Sequence, residues 1–457
     1  MLPVGLWDSE MTSELVKTLE GIVGAEHLLV DGGARRYVVD SVAPTTVVFP
    51  GSVEEVAAVL AACSGAKAAV VPWGGGTSMG LGGVPKKIDV VLGLGRLNRV
   101  IDHEPGDMTS TVQSGMVLGE YQTALGRHGQ FLGLDPPKAD RATIGGILAS
   151  NASGPRRIRY GTARDLLIGL RVVHADGTVT KGGAKVVKNV TGYDMNKLYV
   201  GSLGTLGVVV EATFRLYPLP PEERTWVASF PAAAKAREAV AAILDSPLAP
   251  SAVELLCGTA AVEVSQTSSI LIGSRGHLLA VAVASVPEAV EVQLRAVREM
   301  GAKAGGGDDQ VLAGEAHQKF WGAVRDFDAG PGSMVLKASL LLTKVASAMD
   351  LGERLAARYG LRVGGVSEAG TGIVRYHVTA ADGGTDRFAR LAECVTSLRG
   401  FAADAKGSLI LLEAPPEVKA VVDVWGPIGK SFTLMQGLKA AYDPDRILNP
   451  GRFVGGL

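Results

Sequence analysis

Hydrophobic positions in the first hundred residues change from helical spacing to short strand-like runs. Residues 1–40 have apolar positions at helical intervals and predict a helical lead-in. Residues 45–50 and 68–72 predict two strands, and residues 53–63 predict a helix between them, which Ser52 caps with a glutamate three positions later. The pattern therefore predicts a β-α-β unit whose second strand leads into a glycine-rich loop.

The middle of the chain has the pattern of turns, strands and short helices. Short β-branched runs over residues 88–114 predict antiparallel strands. A helix is predicted over residues 117–128, and Thr143 is predicted to cap a short helix. Residues 166–181 alternate around an Asp-Gly pair and predict a β-hairpin. Prolines cluster at residues 218–221, where we expect a domain boundary.

After residue 224 the pattern alternates strands with long amphipathic helices. The order strand, helix, strand, strand, helix occurs twice. Its first occurrence covers residues 226–230, 232–244, 252–256, 278–285 and 288–300, and its second covers residues 334–342, 343–359, 361–366, 373–378 and 385–398. Alternation of this kind predicts an antiparallel sheet backed by helices, and so an α+β cap.

Composition restricts the class of protein and its partners. With 457 residues, 47% of them hydrophobic and 20% charged, the chain has material for two or more domains. The net charge of −1 makes nucleic acid an unexpected partner. The three cysteines lie far apart and the seven histidines are scattered, so we expect no disulfide, metal or iron–sulfur site. No apolar run approaches the ~20 residues of a membrane span, and we expect a cytoplasmic protein.

The glycine-rich loop that follows residue 72 is the first candidate for chemistry. It combines a glycine triplet, Thr77, Ser78 and a second glycine cluster. Because such a loop has few Cβ atoms, its backbone N–H groups can approach an anion, and we expect a pyrophosphate there. Met79 breaks the dinucleotide fingerprint, and no lysine follows as in a P-loop. A turn without a ligand remains the alternative.

Two further glycine clusters follow. In the first, over residues 134–165, the helix capped by Thr143 carries Gly145 and Gly146 near its start, where bare N–H groups could contact an anion or a ring edge. The second covers residues 199–210.

These motifs together identify a family. PWGGGTSMG, ATIGGILASNASGPRRIRYG, GSLGTLGVVVEATFRLYPLP and the terminal DPDRILNPGRF resemble the four flavin motifs of the vanillyl-alcohol oxidase and p-cresol methylhydroxylase type, in its glycolate oxidase and D-lactate dehydrogenase branch. The resemblance implies an α+β fold: an FAD-binding domain with two α/β subdomains and a ferredoxin-like antiparallel-sheet cap. The implied divisions are a lead-in (1–40), an FAD-binding domain (41–221), a cap for substrate or partner (222–430) and a segment returning to the flavin (431–457).

The resemblance also implies which residues bind the cofactor. Thr77 stands where covalent flavoproteins of this fold often have histidine, so the FAD is expected to be non-covalent. The residues expected to contact it are Pro72, Trp73, Gly74, Gly75, Gly76, Thr77, Ser78, Met79, Pro137, Thr143, Ile144, Gly145, Gly146, Ala149, Asn151, Ser153, Gly154, Arg157, Tyr160, Gly161, Gly201, Gly204, Thr205, Gly207, Val208 and Asn449. Among the neighbouring Arg156, Arg157 and Arg159, one is expected at the flavin and the others at a surface or interface.

Some motifs are similar to the accessory FAD-binding subunit of glycolate oxidase. These are SGPRRIRYG, KNVTGYDMNKL, GSLGTLG and WGPIGK. The catalytic subunit has a glutamate in the third motif, a metal-binding His-x-Gly-Asp-Gly-Asn-x-His and a Glu-His-Gly-Ile-Gly. Here Leu203 replaces the glutamate, and Glu368 and Arg375 replace the two metal-binding histidines. Trp425 stands where the histidine of the Glu-His-Gly-Ile-Gly motif would be. The resemblance therefore retains a flavin site but removes the usual base.

Two residue sets remain candidates for substrate chemistry. Arg325, Lys337 and Arg375 stand where relatives bind the substrate carboxylate, with surface or core ion pairs as the alternative. Tyr376 or His377 is the candidate base.

Three functions follow as hypotheses. The first is an FAD subunit of a glycolate oxidase or 2-hydroxy-acid dehydrogenase complex, which passes electrons between a catalytic FAD subunit and an iron–sulfur subunit. In that case membrane association would occur only through partners. The second is a self-sufficient D-lactate or glycolate dehydrogenase, and the third is a non-redox scaffold with structural FAD.

Overall fold

The computed structural model describes residues 7–183, 193–271, 276–327, 332–380 and 384–457. The predicted segment that begins at Lys188 lies outside these ranges as far as residue 192. No helix within the described ranges is long and apolar enough to cross a membrane.

The helices occur in both halves of the chain. They are α1 (Trp7–Val23), α2 (Val53–Gly65), α3 (Leu118–Gly126), α4 (Ile144–Ser150), α5 (Arg157–Tyr160), α6 (Ala163–Leu166), α7 (Asn196–Tyr199), α8 (Ala233–Leu244), α9 (Gly258–Ser268), α10 (Pro287–Lys303), α11 (Gly314–Arg325), α12 (Val345–Tyr359), α13 (Arg387–Asp404), α14 (Pro416–Lys419) and α15 (Phe432–Tyr442).

The strands form four sheets. They are β1 (Leu28–Val30), β2 (Thr46–Val48), β3 (Val70–Trp73), β4 (Val90–Gly93), β5 (Val100–Glu104), β6 (Thr109–Gln113), β7 (Gln130–Phe131), β8 (Leu167–Val173), β9 (Val179–Gly183), β10 (Val208–Arg215), β11 (Tyr217–Pro218), β12 (Glu222–Phe230), β13 (Ala252–Leu256), β14 (His277–Ser285), β15 (Gly307–Ala313), β16 (Met334–Ser339), β17 (Leu361–Glu368), β18 (Ile373–Ala380) and β19 (Ser408–Glu413).

The first sheet contains the predicted β-α-β unit. Its order is β1-β2-β4-β3, with β2, β4 and β3 parallel. The Ser52 side chain accepts from Glu55 N at 3.1 Å, and Glu55 Oε2 accepts from Gly51 N at 2.7 Å, so the predicted cap of α2 is confirmed. The prediction that residues 88–114 form only antiparallel strands is wrong for β4. This strand is buried on both faces, as parallel strands covered by helices are, and it lies between β2 and β3.

The second sheet has the order β5-β6-β10-β8-β9 and is antiparallel. The predicted hairpin is confirmed, since β8 pairs with β9 across a turn in which Asp176 accepts from Thr178 N at 2.8 Å. One face of the sheet packs in a hydrophobic core with α3 and α4, through Tyr121 and Ile147 among others. This packing fixes α4 beside the end of the glycine loop.

The cap is built on one eight-stranded antiparallel sheet, here called the cap sheet. Its order is β15-β12-β14-β13-β17-β18-β16-β19. The cores of α8, α10, α12 and α13 pack with its strands in a single hydrophobic cluster. The predicted α+β architecture is confirmed, although the pattern did not reveal α9, α11, β15 or β19.

The C-terminal segment returns to the first sheet. Leu448 forms a parallel bridge with Val70, whose N–H donates to Ile447 O and whose carbonyl accepts from Asn449 N, both at 2.8 Å. The buried ammonium of Lys439 donates to Asp443, 2.6 Å away, to Leu448 O and to Thr205 O. The tail is therefore held by β3 and by a buried ion pair.

Candidate functional site

A cavity of about 150 Å³, here called the main cavity, lies between the glycine loop, α4 and the cap sheet. The four predicted catalytic residues all line it: Arg325, Lys337, Arg375 and His377. The predicted cofactor-binding residues that line it are Thr77, Ser78, Pro137, Asn151 and Ser153. The two sets of residues, predicted for different roles, thus meet at one site.

A smaller cavity of about 50 Å³ lies at the other end of α4. The predicted cofactor-binding residues that line it are Pro72, Trp73, Gly74, Thr143, Gly145, Gly146, Ala149, Gly204, Gly207 and Val208. The second and third glycine clusters therefore come together with the glycine loop.

The glycine loop is shaped by close backbone packing. A Cβ atom at Gly75 would overlap the carbonyl oxygen of Arg141, and one at Gly74 would overlap the Thr143 hydroxyl. The backbone N–H groups of residues 74–79 donate to no acceptor within the described ranges. Half-buried, unpaired N–H groups are the donors that an anion such as pyrophosphate requires.

The N–H groups at the start of α4 are already paired, contrary to our expectation. Gly145 N donates to Ser114 O at 2.7 Å, and Gly146 N donates to the Thr143 hydroxyl at 3.3 Å. The chain approaches β6 closely here, and Thr143 caps the helix. These two glycines can offer only their Cα surfaces to a ligand.

Two asparagine amides have unpaired oxygens near these loops. Asn449 donates from Nδ2 to Leu203 O at 2.5 Å, while its Oδ1 finds no donor in the described part of the chain. Asn151, at the left-handed C-terminus of α4, likewise has an unpaired Oδ1. A flavin ring edge carries an N–H donor and carbonyl acceptors, so unpaired amide oxygens and loop N–H groups fit this cofactor.

Other predicted cofactor-binding residues pack against or hydrogen-bond to neighbouring parts of the protein. Gly154 packs against Asp135, Gly201 N donates to Leu148 O, and the Thr205 hydroxyl donates to Ser202 O. The residues without a place in the lining of either cavity are Gly75, Gly76, Met79, Ile144, Gly154, Arg157, Tyr160, Gly161, Gly201, Thr205 and Asn449. Tyr160 packs edge-on against Tyr217, with ring centres 4.8 Å apart, in an aromatic cluster.

The three neighbouring arginines have different surroundings. Arg156 forms an ion pair with Glu223 at 2.8 Å, and Arg159 donates to Ala249 O at 2.8 Å. Arg157 lies close enough to Lys337 to contribute, after burial, to lowering the pKa of that ammonium group. Of the three arginines, only Arg157 is among the charges that act on Lys337.

The cap contributes cations whose pairing differs. Arg325 is bound to Asp326, with Nη2 2.9 Å from Oδ2. Arg375 is only 7% exposed, and its Nε and Nη2 have no hydrogen-bond partner within the described ranges. A buried guanidinium without an acceptor fits a carboxylate ligand.

The two candidate bases lie on opposite faces of β18. His377 lines the main cavity, and burial, followed by the charges of Arg375 and Lys138, lowers its pKa to about 3. Tyr376 donates its hydroxyl to Ala348 O at 3.0 Å on the helical side, so the hypothesis that Tyr376 acts as a base is wrong. Because side chains alternate between the two faces of a strand, only one of two neighbouring residues can face the cavity.

Three carboxyl groups near the cavity were not predicted: the half-buried Asp135 and the buried Glu254 and Glu368. Asp135 accepts from Arg156 N at 3.1 Å, and burial raises its pKa to about 7. Glu368 lines the main cavity, and Glu254 lies beside it in the cap sheet. A glutamate inside the apolar run AVELL of β13 was the available signal for Glu254.

The two replacements Leu203 and Trp425 lie outside the main cavity. Trp425 donates from Nε1 to Arg452 O at 3.1 Å and packs against Phe453. Leu203 has a left-handed backbone, φ 53°, and its carbonyl accepts from Asn449. Neither side chain offers an acid or a base.

Family models and relatives match both halves of the chain. A model described as FAD binding domain matches residues 44–183, and one described as FAD linked oxidases, C-terminal domain, matches residues 219–410 and 428–453. The chain is 30% identical over 418 residues to D-lactate dehydrogenase of Archaeoglobus fulgidus, covering 89% of this chain and 91% of that protein. It is 27% identical over 427 residues to glycolate oxidase subunit GlcD of Bacillus subtilis, covering 90% and 88%.

Solved structures share the fold at low identity. p-Cresol methylhydroxylase with substrate bound aligns with a TM-score of 0.77 and 18% identity, over 97% of this chain and 96% of that chain. 4-Ethylphenol oxidase from Gulosibacter chungangensis, in complex with isoeugenol, aligns with a TM-score of 0.74 and 16% identity, over 99% and 98%. The FAD-binding and cap architecture of the p-cresol methylhydroxylase type is therefore the fold of this chain.

Proposed function

We propose that this chain, which belongs to the FAD-linked oxidases, oxidises the CH–OH group of a small 2-hydroxy acid bound in the main cavity. The observation that carries the proposal is the buried Arg375, whose Nε and Nη2 find no acceptor in the described part of the chain and which lines the same cavity as Thr77, Ser78 and Asn151. A carboxylate cation site and a flavin site are the two parts that this reaction needs.

FAD would be held without a covalent bond. The unpaired N–H groups of residues 74–79 are proposed to bind its pyrophosphate, and Asn151, Ser153 and Asn449 to bind the flavin end. When bound, FAD supplies the acceptor for a hydride. Thr77 offers no nucleophile comparable to a histidine for covalent attachment.

The substrate anion would be held by the cap. Arg375 is proposed to bind the carboxylate, because its Nε and Nη2 have no hydrogen-bond acceptor among the residues that the structure describes. Lys337 stands opposite it on β16, and Arg325 contributes charge while bound to Asp326. Phe327 and Ile373 add apolar walls that exclude water around the reacting carbon.

The chain is further proposed to work within a complex. Two relatives are named as subunits of glycolate oxidase. The three cysteines of this chain are free and buried and lie far apart in the sequence, so we infer that an iron–sulfur acceptor would belong to a partner. A catalytic FAD subunit and an iron–sulfur subunit are the proposed partners, in the cytoplasm or at a membrane through those partners.

A second candidate is an electron relay that oxidises no substrate itself. It is favoured by Trp425, which stands where relatives of the catalytic type have a histidine and which packs outside the cavity. A third candidate, a scaffold with structural FAD, is separated from both by the redox behaviour of the flavin.

The deciding experiment is anaerobic reduction of the purified holoprotein. We expect a yellow protein that releases FAD on denaturation and is bleached by D-lactate or glycolate. Bleaching only after a partner is added would reject substrate oxidation in favour of the relay. A flavin that neither a hydroxy acid nor a partner reduces would indicate the scaffold.

A further inference from the structure

Two buried glutamates face one another beneath the main cavity. Glu254 on β13 and Glu368 on β17 are register partners in the antiparallel cap sheet, and they are 0% and 4% exposed. Side chains at directly opposed positions leave the same face of the sheet, with Cβ atoms about 4.5–5.5 Å apart. The two carboxyl groups therefore share one desolvated site.

Their roles are distinguished by their access to the cavity. Glu368 lines the cavity and accepts from the Thr371 hydroxyl at 3.3 Å. Glu254 lies behind it, and neither of its oxygens has a hydrogen-bond partner in the described part of the chain. Burial, followed by the charge of Glu368, raises the pKa of Glu254 well above its ordinary value. Two carboxylates this close cannot both be ionised without a large cost.

Cations surround the pair on one side. Arg375 on β18 is opposite Val366, two positions from Glu368, and Lys337 is opposite Arg375 on β16. These positive charges stabilise an ionised carboxylate at the cavity wall. Asp135 and Arg375 interact electrostatically with Glu254, and Asp135 and Lys337 interact with Glu368. The other charged or titratable groups that line the cavity are Lys138, Arg325, Asp326, His377 and Glu413.

We propose that Glu254 and Glu368 hold one proton between them, mainly on Glu254, and that the ionised Glu368 is the base for the substrate hydroxyl. This proposal rests on the proposed oxidation of a 2-hydroxy acid. It supplies the base that the replaced histidines leave missing, and it does so with a carboxylate beside the guanidinium that would hold the substrate.

The proposed step balances in electrons and protons. The C2–H bond of the 2-hydroxy acid would break and its hydrogen would leave as a hydride, for which bound FAD would be the oxidant. The O–H bond breaks and its proton goes to a Glu368 oxygen, while the C2=O bond of the 2-oxo acid forms. The pair then carries two protons and loses one to solvent before the next turnover.

The first measurement tests proton storage without turnover. Infrared spectra of the oxidised holoprotein at neutral pH are compared with those of Glu254→Gln. We expect wild type to show a protonated carboxyl band that shifts in heavy water and is absent from E254Q. Asp135→Asn identifies the band of the neighbouring Asp135. Identical carboxyl bands in wild type and E254Q would overturn the proton-holding pair.

The second measurement tests the base. Glu368→Gln is expected to slow anaerobic flavin reduction by D-lactate or glycolate by roughly 100-fold or more, the usual contribution of a general base. Binding of oxalate, which cannot be oxidised in this way, is expected to change less than about threefold. The surface variant Glu393→Gln is the matched control.

Each outcome separates this proposal from the function on which it rests. Flavin reduction by E368Q at the wild-type rate would overturn the base assignment and leave substrate oxidation intact. Wild-type flavin that no 2-hydroxy acid reduces would reject the proposed oxidation and the base together. The infrared result would still decide whether the pair stores a proton.

Discussion

Lys337 and Arg375 are register partners on the neighbouring strands β16 and β18, so both cations leave the cap sheet on the cavity side. Their charges affect one another: after burial, Arg157 and Arg375 lower the pKa of Lys337, against the opposing effect of Glu368. Two like charges on one face of a sheet repel each other, and the charge of Glu368 offsets only part of the effect of burial and of Arg157 and Arg375 on Lys337. A bound carboxylate would relieve this repulsion.

Replacing Arg375 is expected to weaken anion binding while the flavin stays bound. Arg375→Met should raise the dissociation constant for oxalate by roughly 30-fold, because a charge-assisted hydrogen bond contributes about 2 kcal/mol. Titration calorimetry measures it, with flavin absorbance as the occupancy check. Arg295→Met, on the exposed face of α10, is the control. Unchanged oxalate affinity in R375M would remove Arg375 from the substrate site.

The glycine loop gives a steric prediction. Gly75→Ala should expel or weaken FAD, because its new Cβ would overlap the carbonyl oxygen of Arg141 and push the loop out of place. Gly65→Ala, where a Cβ meets nothing within 4 Å, is the matched control. Flavin content per chain, read from the visible spectrum, measures the effect. A G75A protein with full flavin occupancy would show that the loop tolerates the shift.

The tail ion pair gives a stability prediction. Asp443→Asn is expected to lower the free energy of unfolding by about 3 kcal/mol, because it leaves the buried Lys439 ammonium without its counter-ion. Lys235→Met breaks an exposed pair with Glu238 and should change the free energy by less than about 1 kcal/mol. Denaturant unfolding compares the two variants. Equal losses would contradict a special role for the tail pair.

Glu223 gives a prediction about acid stability. Burial alone would raise its pKa, but the His317 hydrogen bond and the Arg156 charge outweigh burial and lower its pKa from 4.5 to about 2. The folded-state pKa lies below the unfolded one, so its stabilisation is present above pH 4.5 and is lost as the pH falls toward 2.

The variant Glu223→Gln should lose less stability than wild type across that acid range. At the acid end of this range, the losses in the free energy of unfolding of the two proteins should differ by about 3 kcal/mol. Thermal unfolding at a series of pH values measures it. Parallel stability curves for the two proteins would show that Glu223 titrates alike in the folded and unfolded states.

Replacing His377 is expected to leave the pH dependence of oxalate binding unchanged near neutral pH. Its pKa of about 3 keeps the imidazole neutral throughout the physiological range. Oxalate binding by His377→Gln should therefore have the same pH dependence as wild type between about pH 5 and pH 8. A titration step that disappears in H377Q would refute this and restore His377 as an ionising group.

Much of the fold follows from local sequence. The capping residues Ser52 and Thr143, the Asp-Gly hairpin and the amphipathic helices of the cap are encoded within short windows. The position of β4 could not be predicted, because a buried apolar run does not reveal which strands lie beside it. Local patterns determine elements, and long-range packing determines neighbours.

The candidate site likewise combines features that local sequence indicates with features that depend on long-range packing. Motifs indicated the glycine loop and the four cap residues, yet the paired N–H groups of Gly145 and Gly146 depend on the approach of β6. The orientation of Tyr376 toward α12 depends on the face that β18 buries. Opposition of Glu254 and Glu368, more than a hundred positions apart, depends on strand register, which single-chain patterning does not specify.

The bridge between Val70 and Leu448 has a consequence for the order of events during protein synthesis. On one edge of the strand that leads into the glycine loop, Val70 N donates to Ile447 O and Val70 O accepts from Asn449 N, more than 370 positions later in the chain. While the ribosome is translating the cap, one edge of the first sheet therefore remains open, and a chaperone or a like strand could bind it. A nascent chain stalled within the cap would therefore expose this edge and would be an aggregation-prone species.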